Sequence, residues 1–93
     1  MMVRREERTS ITIKKAAQHA GVEVHVARHC VEVGLMDEEL TERDLAELRR
    51  VRRLMALGIN LPGIEVIIRM RRRIQALQAE LMRLERQSQS RGR

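Results

Sequence analysis

Phenylalanine, tyrosine and tryptophan are all missing from the 93 residues, and there is one cysteine and one proline. Aromatic side chains supply the largest buried areas, so any interior must be assembled from Leu, Ile, Val, Met and Ala. A chain of this length is one domain at most, and its surface-to-volume ratio makes a lone monomer marginal. Small scaffolds offset that weakness by burying more surface in an oligomer, so self-association is expected before any motif is read. The single thiol, Cys30, excludes an intramolecular disulfide. No apolar run approaches a membrane span, and the Arg-rich start lacks the apolar stretch of a secretion signal. The expectation is a cytoplasmic protein without membrane association.

The net charge is +6, but it is unevenly distributed. Residues 37–50 hold six acids (Asp37, Glu38, Glu39, Glu42, Asp44, Glu47) against three arginines, a local net of −3. Residues 51–73 hold six arginines against Glu65, a local net of +5. Residues 11–36 carry Lys14, Lys15 and Arg28 against Glu23 and Glu32, so their excess is one. The basic surplus therefore sits late in the chain, and a basic protein need not present a basic reading face to nucleic acid.

Local patterns predict helices only. The first ten residues read as a flexible polar arm. Thr12 or Ser10 caps a short helix over Ile13–Ala20, with Gly21 supplying a tight turn. A second helix runs from about Glu23 to Val33 and stops at Gly34, a residue suited to a left-handed terminus. Helix, glycine-containing turn, helix is helix-turn-helix spacing. Thr41 and Asp44 form a capping-box-like start for a third helix, where Leu45, Leu48, Val51, Leu54 and Met55 keep helical spacing up to Leu57. Asn60-Leu61-Pro62-Gly63 is a connector, with Pro62 placed to open the last helix. Residues 11–57 thus hold the helix-turn-helix and the helix after it. Residues 63–87 form a long final helix, and 88–93 read as a disordered polar tail.

That final helix carries Ile67, Met70, Ile74, Leu77, Leu81 and Leu84 in an unbroken 3-4 repeat, the a and d seam of a coiled coil. The other solution is a long helix packed on its own domain. A helix of this length outruns what so small a domain can cover at about 1.5 Å per residue, which favours a homodimer. A parallel pair would oppose Glu80 to Glu85, whereas an antiparallel pair brings Arg73 towards Glu80. The expectation is an antiparallel coiled coil. Arg69 and Arg72 fall outside the seam, while Arg71 and Arg73 flank it; the four could bind nucleic acid or an acidic partner, but the favoured reading is solvated charges on a coiled coil.

Ile11-Thr12-Ile13, Ala17, Gly21-Val22, Val24, Arg28, Glu32 and Gly34-Leu35 fall at the spacing of the MerR helix-turn-helix, which the chain resembles. The run Leu57-Gly58-Ile59-Asn60-Leu61-Pro62-Gly63-Ile64 is similar to a Leu-Gly-Val-Asn-Leu-Ala-Gly-Val segment of HspR-type repressors. It also resembles the Leu-Asp-Trp-Pro-Gly-Ile segment of CbpM-type chaperone modulators, which are wing-reduced relatives of MerR proteins. The resemblance implies an all-α fold: a MerR-like helix-turn-helix lacking the β wing, then a helical hairpin and a long C-terminal coiled-coil helix. Where the family carries a β-hairpin wing, only Asp37-Glu38-Glu39-Leu40-Thr41 intervenes here.

Two functions follow from the resemblance. MerR-type readers hold duplex DNA with the recognition helix and the wing, which by position implies contacts from Glu23, His25, Val26, Arg28 and His29, with Lys14 and Lys15 nearby. Glu23 stands where a small hydroxyl residue usually meets phosphate, and a carboxylate there is repelled. CbpM-like proteins instead bind the J-domain of DnaJ-type co-chaperones, whose partner-facing helix is generally basic. Asp37, Glu38, Glu39, Glu42, Asp44 and Glu47 would suit such a surface. A dimerisation adaptor with neither activity is a third reading. His25 and His29 lie four residues apart beside Cys30, a spacing that fits a metal, but scattered histidines and a small core thiol explain it as well. No cofactor or metal is expected. No nucleophile–base set or phosphate loop is visible, so an enzyme is not expected either.

Overall fold

The computed structural model describes residues 11–91, so the predicted arm over residues 1–10 lies outside them. The described residues form four helices: α1 (Ile13–Ala20), α2 (Val24–Glu32), α3 (Glu42–Ala56) and α4 (Leu61–Arg91). Their ends follow from local chemistry. Thr12 accepts a hydrogen bond from the Lys15 amide at 3.2 Å and caps α1. Gly21 closes it at φ 78, in the left-handed region. A Cβ at Gly21 would lie 3.0 Å from Nε of Arg52, which crosses the turn from α3, so both backbone and space favour glycine here. Glu23 occupies the N-cap of α2 without a side-chain cap bond. At the other end, Gly34 (φ 84) lets the Leu35 amide donate back to the Cys30 carbonyl at 2.9 Å.

Helix α3 begins with a full capping box: Asp44 N–H donates to Thr41 Oγ1, and Thr41 N–H donates to Asp44 Oδ2. Helix α4 starts earlier than the placement of Pro62 predicts. Asn60 is the cap, its Oδ1 accepting from the Gly63 amide at 2.9 Å and its carbonyl from the Ile64 amide. Pro62 therefore sits second in the helix, still within the first turn, where an amide N–H has no intrahelical partner to lose. The helix also ends later than expected. It continues through 88–91, part of the stretch read as a disordered tail, because Ser88-Gln89-Ser90-Arg91 contains no glycine or proline to stop it.

Helix α1 packs on α2 and α3, and α4 rests on α3. The core draws small residues from α1 (Ala16, Ala17, Ala20), Val26, Ala27 and Cys30 from α2, Leu45, Leu48 and Val51 from α3, and Ile64 and Ile68 from α4. Leu35, Met36 and Leu40 bring in the loop between α2 and α3. One antiparallel bridge, in which the Ile11 amide donates to the Leu40 carbonyl at 2.7 Å, pins that loop to the start of α1. Burial stops early along α4: every residue from Arg72 to Ser90 is exposed. The 31-residue helix is about 46 Å long at 1.5 Å per residue, and its far end projects from the domain. No helix among the described residues is long and apolar enough to cross a membrane.

Candidate interaction surfaces

Helices α1 and α2 place the sequence-predicted DNA residues in two groups. Lys14, Lys15, His25 and Arg28 are exposed, whereas His29 is half-buried, and its buried Nε2 has no hydrogen-bond partner. Val26, in the position of a recognition contact, is part of the core. The exposed face of α2 therefore consists of Glu23, His25, Arg28 and Glu32, with two carboxylates against one guanidinium.

The loop after α2 and the first turns of α3 hold their acids in two states. Asp37, Glu38, Glu39 and Glu42 are exposed. Asp44 is engaged in its capping box, and Glu47 is a contact centre, its carboxylate meeting Arg50 at 3.2 Å and Arg72 at 3.9 Å. Only the first four are free to meet a partner directly. Leu40, between them, is fully buried and anchors the loop.

The α4 seam is open to solvent. Met70, Ile74, Leu77, Leu81 and Leu84 are each about half exposed, and Ile67 is half-buried. At its near end the stripe runs into an apolar groove of about 730 Å³ between α3 and α4, floored by Leu54, Leu57, Ile67, Met70 and Ile74 and edged by Arg50, Arg53 and Arg71.

The sequence model of the MerR HTH family of regulatory proteins matches residues 11–71, covering the helix-turn-helix, α3 and the packed start of α4. The chain belongs to the MerR HTH family. Comparison with curated proteins and with solved structures gives no match. The family match ends at Arg71, and every residue after it from Arg72 to Ser90 is exposed. In this MerR chain α2 is the recognition helix, and the residues from Leu35 to Thr41, with their single bridge, stand in place of the wing.

Two arginines read as solvated charges prove otherwise in this MerR fold. Arg69 donates to the Val33 carbonyl and Arg72 to the Leu35 carbonyl, each at 2.6 Å. Both carbonyls lie just past the end of α2, where helix carbonyls lack intrahelical donors. The start of α4 is thus tied to the end of the recognition helix. These contacts join residues 36 and 37 positions apart, so no local pattern could have revealed them. A weak signal existed in their i, i+3 spacing on the face that also carries Ile64 and Ile68.

Cys30 is 1% exposed. Burial pushes its thiol up to about 11, an effect that Arg72 partly opposes and that Glu47 and Glu65 reinforce. A thiol in that state is a poor nucleophile and ligand near neutral pH. Among the described residues no group of three or more His, Cys, Asp or Glu side chains is arranged to hold a metal ion. His25 points to solvent and Cys30 to the core.

Proposed function

We propose that the protein is a regulator that acts by binding another protein: a chaperone modulator of the CbpM kind, directed at a DnaJ-type co-chaperone. The observation that carries this reading is the charge of the surface where a wing would stand. Asp37, Glu38, Glu39 and Glu42 are all exposed there, and the adjoining face of α2 adds Glu23 and Glu32 against Arg28 alone. Such a surface repels phosphate and attracts a basic helix. Complementary charge raises encounter rate and specificity. Asp44 and Glu47 lie behind these four, engaged in their own contacts.

The modulator acts as a homodimer, with residues 63–87 of two copies paired antiparallel through Ile67, Met70, Ile74, Leu77, Leu81 and Leu84. Support comes from the exposure of these side chains along a helix that projects beyond its own domain. Exposed contiguous apolar stripes of this kind mark interaction sites.

A second reading, sequence-specific binding of duplex DNA, is favoured by the exposure of Lys14, Lys15 and Arg28 on the helix-turn-helix. The two readings separate in one experiment: affinity for a DnaJ-type J-domain and for promoter duplex DNA, both at ~0.15 M salt, where weak non-specific attraction is largely screened. J-domain binding that weakens in the D37N/E38Q/E39Q triple variant is expected. Selective DNA binding, lost with Arg28→Ala and steep in salt, without J-domain binding would overturn the modulator reading.

A further inference from the structure

A polar cleft of about 870 Å³ opens between the Leu35–Asp37 turn, the first half of α3 and the Arg71–Arg72 face of α4. Four guanidinium groups line it, from Arg43, Arg50, Arg71 and Arg72. Two of them converge on a single carboxylate, Glu47, which Arg50 meets at 3.2 Å and Arg72 at 3.9 Å. Arg72 also donates to the Leu35 carbonyl. Arg43 and Arg71 have no hydrogen-bond or ion-pair partner among the described residues, although Arg71 is half-buried. The other acids on the lining do not supply one. Asp44 Oδ2 accepts from the backbone and hydroxyl of Thr41, and Asp37 stands exposed in the loop.

The cleft thus has more guanidinium than carboxylate, and its surplus faces an open space. Guanidinium is a planar fork of donors that matches the oxygens of carboxylate and phosphate in pairs. We propose that this cleft is a binding site for a small oxyanion, a phosphate or carboxylate group, held chiefly by Arg43 and Arg71 with Arg50 and Arg72 behind them. It adjoins the acidic surface, with Asp37 on the shared edge and Asp44 and Glu47 in its lining, but it does not rest on the partner proposed above. An occupant also bears on the recognition helix. A second anion beside Glu47 competes for Arg72, the side chain that holds the Leu35 carbonyl, so occupancy is coupled to the tie between α4 and α2.

The test is an NMR titration of the full chain with inorganic phosphate in one arm and succinate in the other, following arginine Nε–H resonances. Sodium chloride at matched ionic strength is the control. Saturable shifts confined to Arg43, Arg50, Arg71 and Arg72 are expected, with response to one arm alone telling phosphate from carboxylate chemistry. Arg71→Gln should weaken binding about tenfold or more, the loss that follows from removing one charge-assisted contact. Arg43→Gln, on an exposed side chain that the fold does not need, should do the same, while Arg83→Gln on the projecting helix should change nothing. Shifts that fail to saturate, spread equally to Arg83 and Arg86, or are reproduced by chloride would overturn the proposal. So would unchanged affinity in both Arg43→Gln and Arg71→Gln.

Discussion

The first turns of α4 and the remainder of the same helix are written in one alphabet and meet opposite fates. Ile64 and Ile68 are 1% and 0% exposed, whereas Ile74, two turns further on, is 52% exposed. Near the start the apolar residues sit on the face towards α3, and Arg69 and Arg72 tie that face to the end of α2. Beyond Arg72 the helix leaves the domain, and among the described residues nothing covers the apolar stripe. An amphipathic pattern therefore says that a helix needs a neighbour, and not whether that neighbour belongs to the same molecule.

The largest expected effect separates the two parts directly. Ile68→Ala removes a fully buried side chain and should cost about 2–5 kcal/mol, read as a fall in urea stability that is the same at every protein concentration. Leu81→Ala removes a half-exposed side chain and should cost a lone chain no more than about 0.5 kcal/mol. In a homodimer its cost instead enters through association. The parent melt should then shift upwards with concentration, and the shift should shrink in Leu81→Ala. Equal, concentration-independent losses in the two variants would erase the distinction between the parts.

A pH dependence belongs to the packed part, through Cys30. The Cys30 thiol is raised from 9.0 to about 11, so the folded state holds its proton where the unfolded chain releases it. Its contribution is fully present below about pH 9 and is lost as pH rises towards about 11, by of order 2 kcal/mol. Chemical denaturation across that window should show the decline in the parent and a flatter profile in Cys30→Ala. Smaller again is the capping box: Asp44→Ala should lower stability by ~1 kcal/mol, measurable by thermal unfolding. Smallest is the Arg83–Glu80 pair at 3.2 Å on the projecting helix, with both side chains more than half exposed. Arg83→Ala should leave the melting curve within about 0.5 kcal/mol of the parent.

The sequence was legible wherever the determining chemistry was local. Thr12, Gly21, Gly34, and Thr41 with Asp44 each mark a helix end through bonds reaching no more than a turn away, and all four do so in the structure. The a and d stripe of α4 was legible too, because it is a periodicity. The division of the acidic cluster was not. Asp44 could be read as a cap, but the half-burial of Glu47 depends on Arg72 arriving from another helix. The inward position of Val26 and the partial burial of His29 depend on how α2 is rotated on α1, which residue spacing alone leaves open. The start of α4 was displaced by Asn60, whose side chain competes successfully with Pro62 as the initiating signal.

The tie between α4 and the recognition helix is made to main-chain oxygen. Carbonyls stand at positions 33 and 35 whatever side chains are attached there, so the joint does not depend on the identity of those two residues beyond their packing. The residues it requires by name are on the other side, Arg69 and Arg72. Exposed side chains of α2 and the loop after it can thus change without loosening the joint, and the rod stays docked.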